Sequence, residues 1–206
     1  MTEDASEPAS AQAPTGEVPP LDPEGSGVLP PIAPRVRRLF WLLERFAPFV
    51  GSRWAVELWC TPPILESALR MPPGVPPGKP VEAFWDGHRV AGEEWGEGPP
   101  IYLVHGWGGQ RPHLAVFVKP LVEAGYRVIA FDLPSHNESD PGALAPGRTT
   151  AIECGDAIAA MIDKHGPAHA VVAHSLGSNS TMLAAAQGTP VGRLVFLTPM
   201  GEFPLY

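Results

Sequence analysis

The stretch Ala168-His169-Ala170-Val171-Val172-Ala173-His174-Ser175-Leu176-Gly177 decides the fold. A short apolar run, Ala168 to Ala173, passes without a loop into a helical stretch, Leu176 to Gln187, with a serine at the junction. So abrupt a turn forces the serine into a strained backbone conformation. The residues two positions either side must then be small, and they are Ala173 and Gly177. The helix that starts at Leu176 points its first N–H groups at the serine oxygen, where negative charge would develop during acyl transfer.

Upstream, the same strand-then-helix unit occurs twice more. Ile101 to Val104 is apolar and is followed by a helical stretch reaching Ala124; Arg127 to Phe131 is followed by a loop and by a helical stretch from Thr150 to His165. Before them, Val81 to Gly96 alternates around Asp86-Gly87, a dipeptide suited to a tight hairpin turn. After them, Arg193 to Thr198 adds one strand. Short apolar strands alternating with helices predict an α/β fold: a mostly parallel sheet with an N-terminal antiparallel hairpin and helices on both faces.

Reactive groups in such sheets gather at the carboxyl ends of the strands. There the sequence carries His105-Gly106-Trp107-Gly108-Gly109 after the first parallel strand, Asp132-Leu133-Pro134-Ser135-His136-Asn137-Glu138-Ser139 after the second, and the serine turn after the third. From about Val81 to its end the chain resembles the α/β-hydrolase family on these three motifs. The resemblance implies that Ser175 is the nucleophile and that the backbone N–H groups of Trp107 and Leu176 form the oxyanion hole. Ala173 stands where the serine motif usually has glycine, and Ser135 and Asn137 stand where the D-x-P-G-H-G-x-S signature has glycines.

A serine needs a histidine to take its proton and a carboxylate to orient that histidine. Family order places both after the serine. The 31 residues after Ser175 hold no histidine, no aspartate and one glutamate, Glu202. The seven histidines, at 88, 105, 113, 136, 165, 169 and 174, all precede it. His174 is its neighbour, but adjacent residues of the turn point apart, so it reads as a packed or hydrogen-bonded side chain rather than a base. His105 and His136 read as braces of loop backbone. His165 and His169 have metal-ligand spacing, which Gly166-Pro167 interrupts. The triad acid and base are therefore absent from this chain, and the family's C-terminal strands are read as missing from it.

The remainder divides by composition. Residues 1–34 carry six acidic and no basic residues, eight prolines and few large apolar side chains, the composition of a disordered tail. Most of the chain's net charge of −8 sits there, so no nucleic-acid partner is expected of the folded part. Residues 35–79 read as a helical arm and a proline-rich connector, with helices from Arg35 to about Phe46 and from about Ser52 to Trp59. The arm is expected to pack its apolar face on the domain; Arg35, Arg37 and Arg38 beside Phe40 and Trp41 leave contact with a membrane surface as the other reading. Residues 80–206 form the incomplete hydrolase domain. Cys60 and Cys154 lack CxxC spacing and read as buried thiols, and no cofactor or metal is implied. No apolar run is long enough to span a membrane and no signal sequence opens the chain, so a cytoplasmic location is expected. Two readings of function follow: a serine hydrolase acting on the ester or thioester of a small acyl substrate, or a non-catalytic binding protein or inactive fragment.

Overall fold

The computed structural model describes residues 33–63 and 71–199. Its centre is a six-stranded sheet: β1 (Lys79–Trp85), β2 (His88–Trp95), β3 (Pro100–Val104), β4 (Arg127–Phe131), β5 (Ala170–His174) and β6 (Leu194–Leu197), in the spatial order β1-β2-β4-β3-β5-β6. β1 and β2 are antiparallel and turn at Asp86 and Gly87, whose φ values of 46° and 83° are those of the tight hairpin that the dipeptide predicts. β2 joins β4 antiparallel, and β4, β3, β5 and β6 run parallel.

Alternation along the strands supplies both faces of the sheet. Tyr102, Val104, Ile129 and Phe131 pack on one side against Cys154, Ile158, Met161 and Ile162 of α4 (Ala151–His165). Ile101, Leu103, Val128 and Val172 pack on the other against Leu114, Ala115 and Val118, from a 3₁₀ helix at Arg111–Phe117 and from α3 (Val118–Glu123). α4 is pinned at its start by a capping box: Thr150 accepts from the Glu153 N–H while the Glu153 carboxylate accepts from the Thr150 N–H. It stops at Gly166, whose φ of 108° a side chain would resist. The Tyr102 hydroxyl donates to the Gly166 carbonyl at 2.7 Å, and burial pushes its phenol up to about 12. α5 (Leu176–Ala186) lies beside α4 on the same face.

The arm departs from expectation. α1 (Pro34–Phe46) and α2 (Pro48–Trp59) are both helical, and α2 starts at Pro48, four residues before the predicted start, because proline suits the first helical position, where no N–H is needed. The pair packs on itself through stacked Phe40 and Trp54 rings 4.8 Å apart and at buried Gly51, where a methyl would meet the Leu43 Cβ at 3.0 Å. It does not lay its apolar face on the sheet domain: no other residue of α1 or α2 is buried. Its ties are the Cys60 carbonyl, which accepts from the Thr149 N–H, and a Glu57–Arg148 ion pair. Cys60 and Cys154 are free and buried. The predicted acidic tail up to residue 32, part of the connector and Glu202 lie outside the described residues.

Candidate active site

Ser175 stands between β5 and α5 with φ 49° and ψ −120°, a conformation that only the surrounding structure can hold in place. The packing around it shows why small residues flank it. A methyl on Gly177 would sit 2.5 Å from the His105 carbonyl oxygen and 2.8 Å from that of Val104, and one on Gly106 would sit 3.0 Å from the Ser175 Cβ. The loop after β3 and the serine turn therefore meet backbone to backbone. The Ser175 N–H donates to Leu197 O, the Ser178 N–H to Ser175 O and the Ser178 hydroxyl to Ala173 O, so β6 and the first turn of α5 hold the junction. Ser175 is half-buried, and its hydroxyl has no hydrogen-bond partner among the described residues.

Leu176 is the first residue of α5, where an N–H has no intrahelical acceptor. Trp107 lies half-buried in the loop between β3 and the 3₁₀ helix, its ring edge-on to His136 at 5.7 Å. Neither N–H has a partner among the described residues. The loop that carries Trp107 is fixed by two histidines, as the sequence predicts. Nε2 of His105 accepts from the Leu133 N–H at 3.0 Å, so its Nδ1 bears the proton and donates to Gly106 O at 2.8 Å. Nε2 of His136 accepts from the Gly108 N–H at 3.0 Å while its Nδ1 donates to Pro134 O. Burial, with the neighbouring His136 adding to it, lowers His105 to about 3, and burial lowers His136 as well. Both rings are neutral struts rather than proton carriers.

Sequence reasoning passed over Arg111. It is buried, pairs with fully buried Asp132 at 3.0 Å and reaches Glu138 at 2.7 Å, while its backbone N–H donates to the Asp132 carboxylate. Burial pushes the Asp132 carboxyl upward, opposed by the Arg111 charge and by hydrogen bonds from Arg111, Asn137 and Glu138. No residue pattern announces this pair, since an arginine at the start of a 3₁₀ helix reads as a surface side chain. The two departures from the D-x-P-G-H-G-x-S signature also find their account here. Ser135 and Asn137 have φ values of 62° and 41°, so the backbone takes the left-handed conformation usual for glycine. Ser135 offsets the strain by donating to Arg148 O and accepting from the Gly142 N–H, and Asn137 by donating to Asp132.

The expectation about His174 changes, and another histidine takes a place. His174 is exposed rather than packed, because the serine turn faces it away from the core beside Gly106. His113 acquires a place, accepting from the Gln110 N–H in the cap of the 3₁₀ helix. His165 ends α4, and the helix stops before His169. Among the described residues no three His, Cys, Asp or Glu side chains cluster as a metal site would require.

Residues 101–206 match the model of the "Alpha/beta hydrolase family". The chain belongs to the alpha/beta hydrolase family. It is similar to an alpha/beta hydrolase from Sphaerobacter thermophilus, at 32% identity and a TM-score of 0.51, over 58% of this chain and 44% of that one. It is also similar to an alpha/beta hydrolase fold protein from Burkholderia ambifaria, at 25% identity and a TM-score of 0.53, over 60% and 45%. Among curated proteins, a dihydrolipoyllysine-residue acetyltransferase component of the acetoin cleaving system of Cupriavidus necator is 33% identical over 120 residues, which are 56% of this chain and 31% of the relative. The chain thus spans less than half the length of these solved structures and less than a third of that relative.

Proposed function

We propose that the protein is a serine hydrolase that cleaves a carboxylic ester or thioester through an acyl-enzyme on Ser175. The observation that carries this reading is the strained backbone of Ser175 at the start of α5, with its hydroxyl unpartnered and the loop after β3 packed against it. Ser175 Oγ adds to the carbonyl carbon while its proton passes to a histidine base. The N–H groups of Trp107 and Leu176 hold the oxyanion, and collapse expels the alcohol or thiol, which takes the proton back from the histidine. Water then attacks the acyl-enzyme by the same route and releases the acid. The base and its carboxylate come from chain beyond the described residues. The short coverage of the solved relatives supports this, as do the exposed apolar side chains of Leu194 and Val195 in β6.

The family houses several chemistries, and the solved epoxide hydrolases among its structural neighbours, at 22–23% identity, share the fold alone. A serine rather than a carboxylate at the turn favours acyl transfer. The test uses the full-length protein with a fluorophosphonate probe and a series of p-nitrophenyl acyl esters. The expected result is a single adduct on Ser175, with turnover lost about 10⁴-fold or more in Ser175→Ala. A folded full-length protein that neither takes the probe nor turns over any ester would establish the non-catalytic binding reading in its place.

A further inference from the structure

We infer that the α1–α2 arm is a docking surface for an anionic lipid bilayer. Trp41 and Phe46 of α1 are 61% and 76% exposed, and Phe49, Val56 and Trp59 of α2 are 79%, 58% and 72% exposed. Such a concentration of bare aromatic and aliphatic side chains on two short helices exceeds what scattered surface residues explain. Phe49 and Val56 also line an open groove of about 460 Å³ with Leu144, itself 54% exposed, so the apolar surface continues onto the sheet domain.

Charge selects the occupant. The arm carries five arginines, Arg35, Arg37, Arg38, Arg45 and Arg53, against Glu44 and Glu57, in a chain whose net charge is −8. The four arginines of α1 are exposed and have no acidic partner among the described residues. A second copy of the arm would meet like charge with like charge. Arginines interleaved with tryptophan and phenylalanine match the boundary between headgroups and acyl chains, where aromatic rings settle and guanidinium groups meet lipid phosphates. A fluid bilayer also accepts apolar residues on more than one side of a helix pair, which a partner of fixed shape does not. Beyond α2 the chain runs through Pro63, which packs so closely on Gly108 that a methyl there would lie 2.7 Å from the Pro63 Cγ. Docking of the arm therefore brings the loop that carries Trp107 towards the lipid surface.

The surface is independent of the chemistry of Ser175, and the test separates the two. Full-length protein is sedimented with phosphatidylcholine vesicles with and without phosphatidylglycerol. Binding is expected with the anionic vesicles, little with the neutral ones, and a loss in high salt. The combined variant Arg35→Gln, Arg37→Gln and Arg38→Gln should weaken binding about tenfold or more, and Trp41→Ser with Phe46→Ser should weaken it comparably. Both sets lie on exposed positions, so thermal unfolding should be unchanged, and Ser175→Ala should bind as the parent does. Failure to bind anionic vesicles overturns the proposal, as does binding that survives both sets of substitutions. Light scattering that shows a dimer dispersed by Trp41→Ser with Phe46→Ser, without vesicle binding, overturns it in favour of self-association.

Discussion

In β3, β4 and β5 the inward residues from Ile101 to Val172 are at most 8% exposed, whereas Phe46 and Phe49, at the bend between α1 and α2, stand 76% and 79% exposed. Both regions are rich in large apolar side chains. A strand presents two faces, and here each face has a helical layer that the same chain supplies a few residues later. The helix pair packs on itself through Phe40, Trp54 and Gly51, and Phe46, Phe49 and Trp59 find no cover among the described residues. Apolar content therefore shows that a segment is suited to burial. Connectivity decides whether it is buried.

The contrast can be broken most forcefully in the sheet. Phe131→Ala removes a fully buried ring from between the hairpin and α4 and should cost about 3–5 kcal/mol in chemical denaturation. Acid should act next. His105 is neutral in the fold, with its pKa lowered to about 3 from an ordinary value of 6.5. The unfolded chain therefore binds the extra proton first, and the stability that this residue contributes is complete above pH 6.5 and drains away as pH falls towards 3. Denaturation midpoints across that window should show a loss of about 1.4 kcal/mol per pH unit from this residue, and His105→Gln should flatten the slope. A smaller effect, about 1 kcal/mol, is expected for Tyr102→Phe, which removes the bond to Gly166 and leaves the packing in place. The smallest belongs to the arm: Phe46→Ser should shift stability by no more than about 0.5 kcal/mol. An arm substitution that cost as much as the sheet substitutions would mean that the arm is covered in solution.

Much of the sheet is legible from residues alone. The strand from Arg127 to Phe131 agrees residue for residue, the Asp86-Gly87 turn forms as its dipeptide requires, and the other helices and strands of the sheet domain differ at their ends by three residues or fewer. Ends shift because a strand stops where its partner stops: β5 begins at Ala170, opposite Ile101, although the apolar run begins at Ala168. The serine turn was legible because the conformation of Ser175 demands small neighbours, and that demand is written at Ala173 and Gly177. Arg111 was not, since nothing local requires an arginine there and its partner Asp132 lies 21 residues away. Ser135 and Asn137 can stand where the signature has glycines because the left-handed backbone they adopt is secured by hydrogen bonds to Arg148, Gly142 and Asp132, of which only Asp132 belongs to that motif.

By itself the sequence determined the strand and helix alternation, the hairpin and the position of the serine turn, because each depends on side-chain periodicity or on conformational limits within a few residues. Tertiary structure alone decided that the bracing rings of His105 and His136 are neutral, that Arg111 anchors Asp132, that His174 faces outward and that the arm stands bare. Each of those outcomes depends on which distant backbone atoms, charges or helices arrive beside the residue, and proximity of that kind is set by the folded chain rather than by neighbours along it.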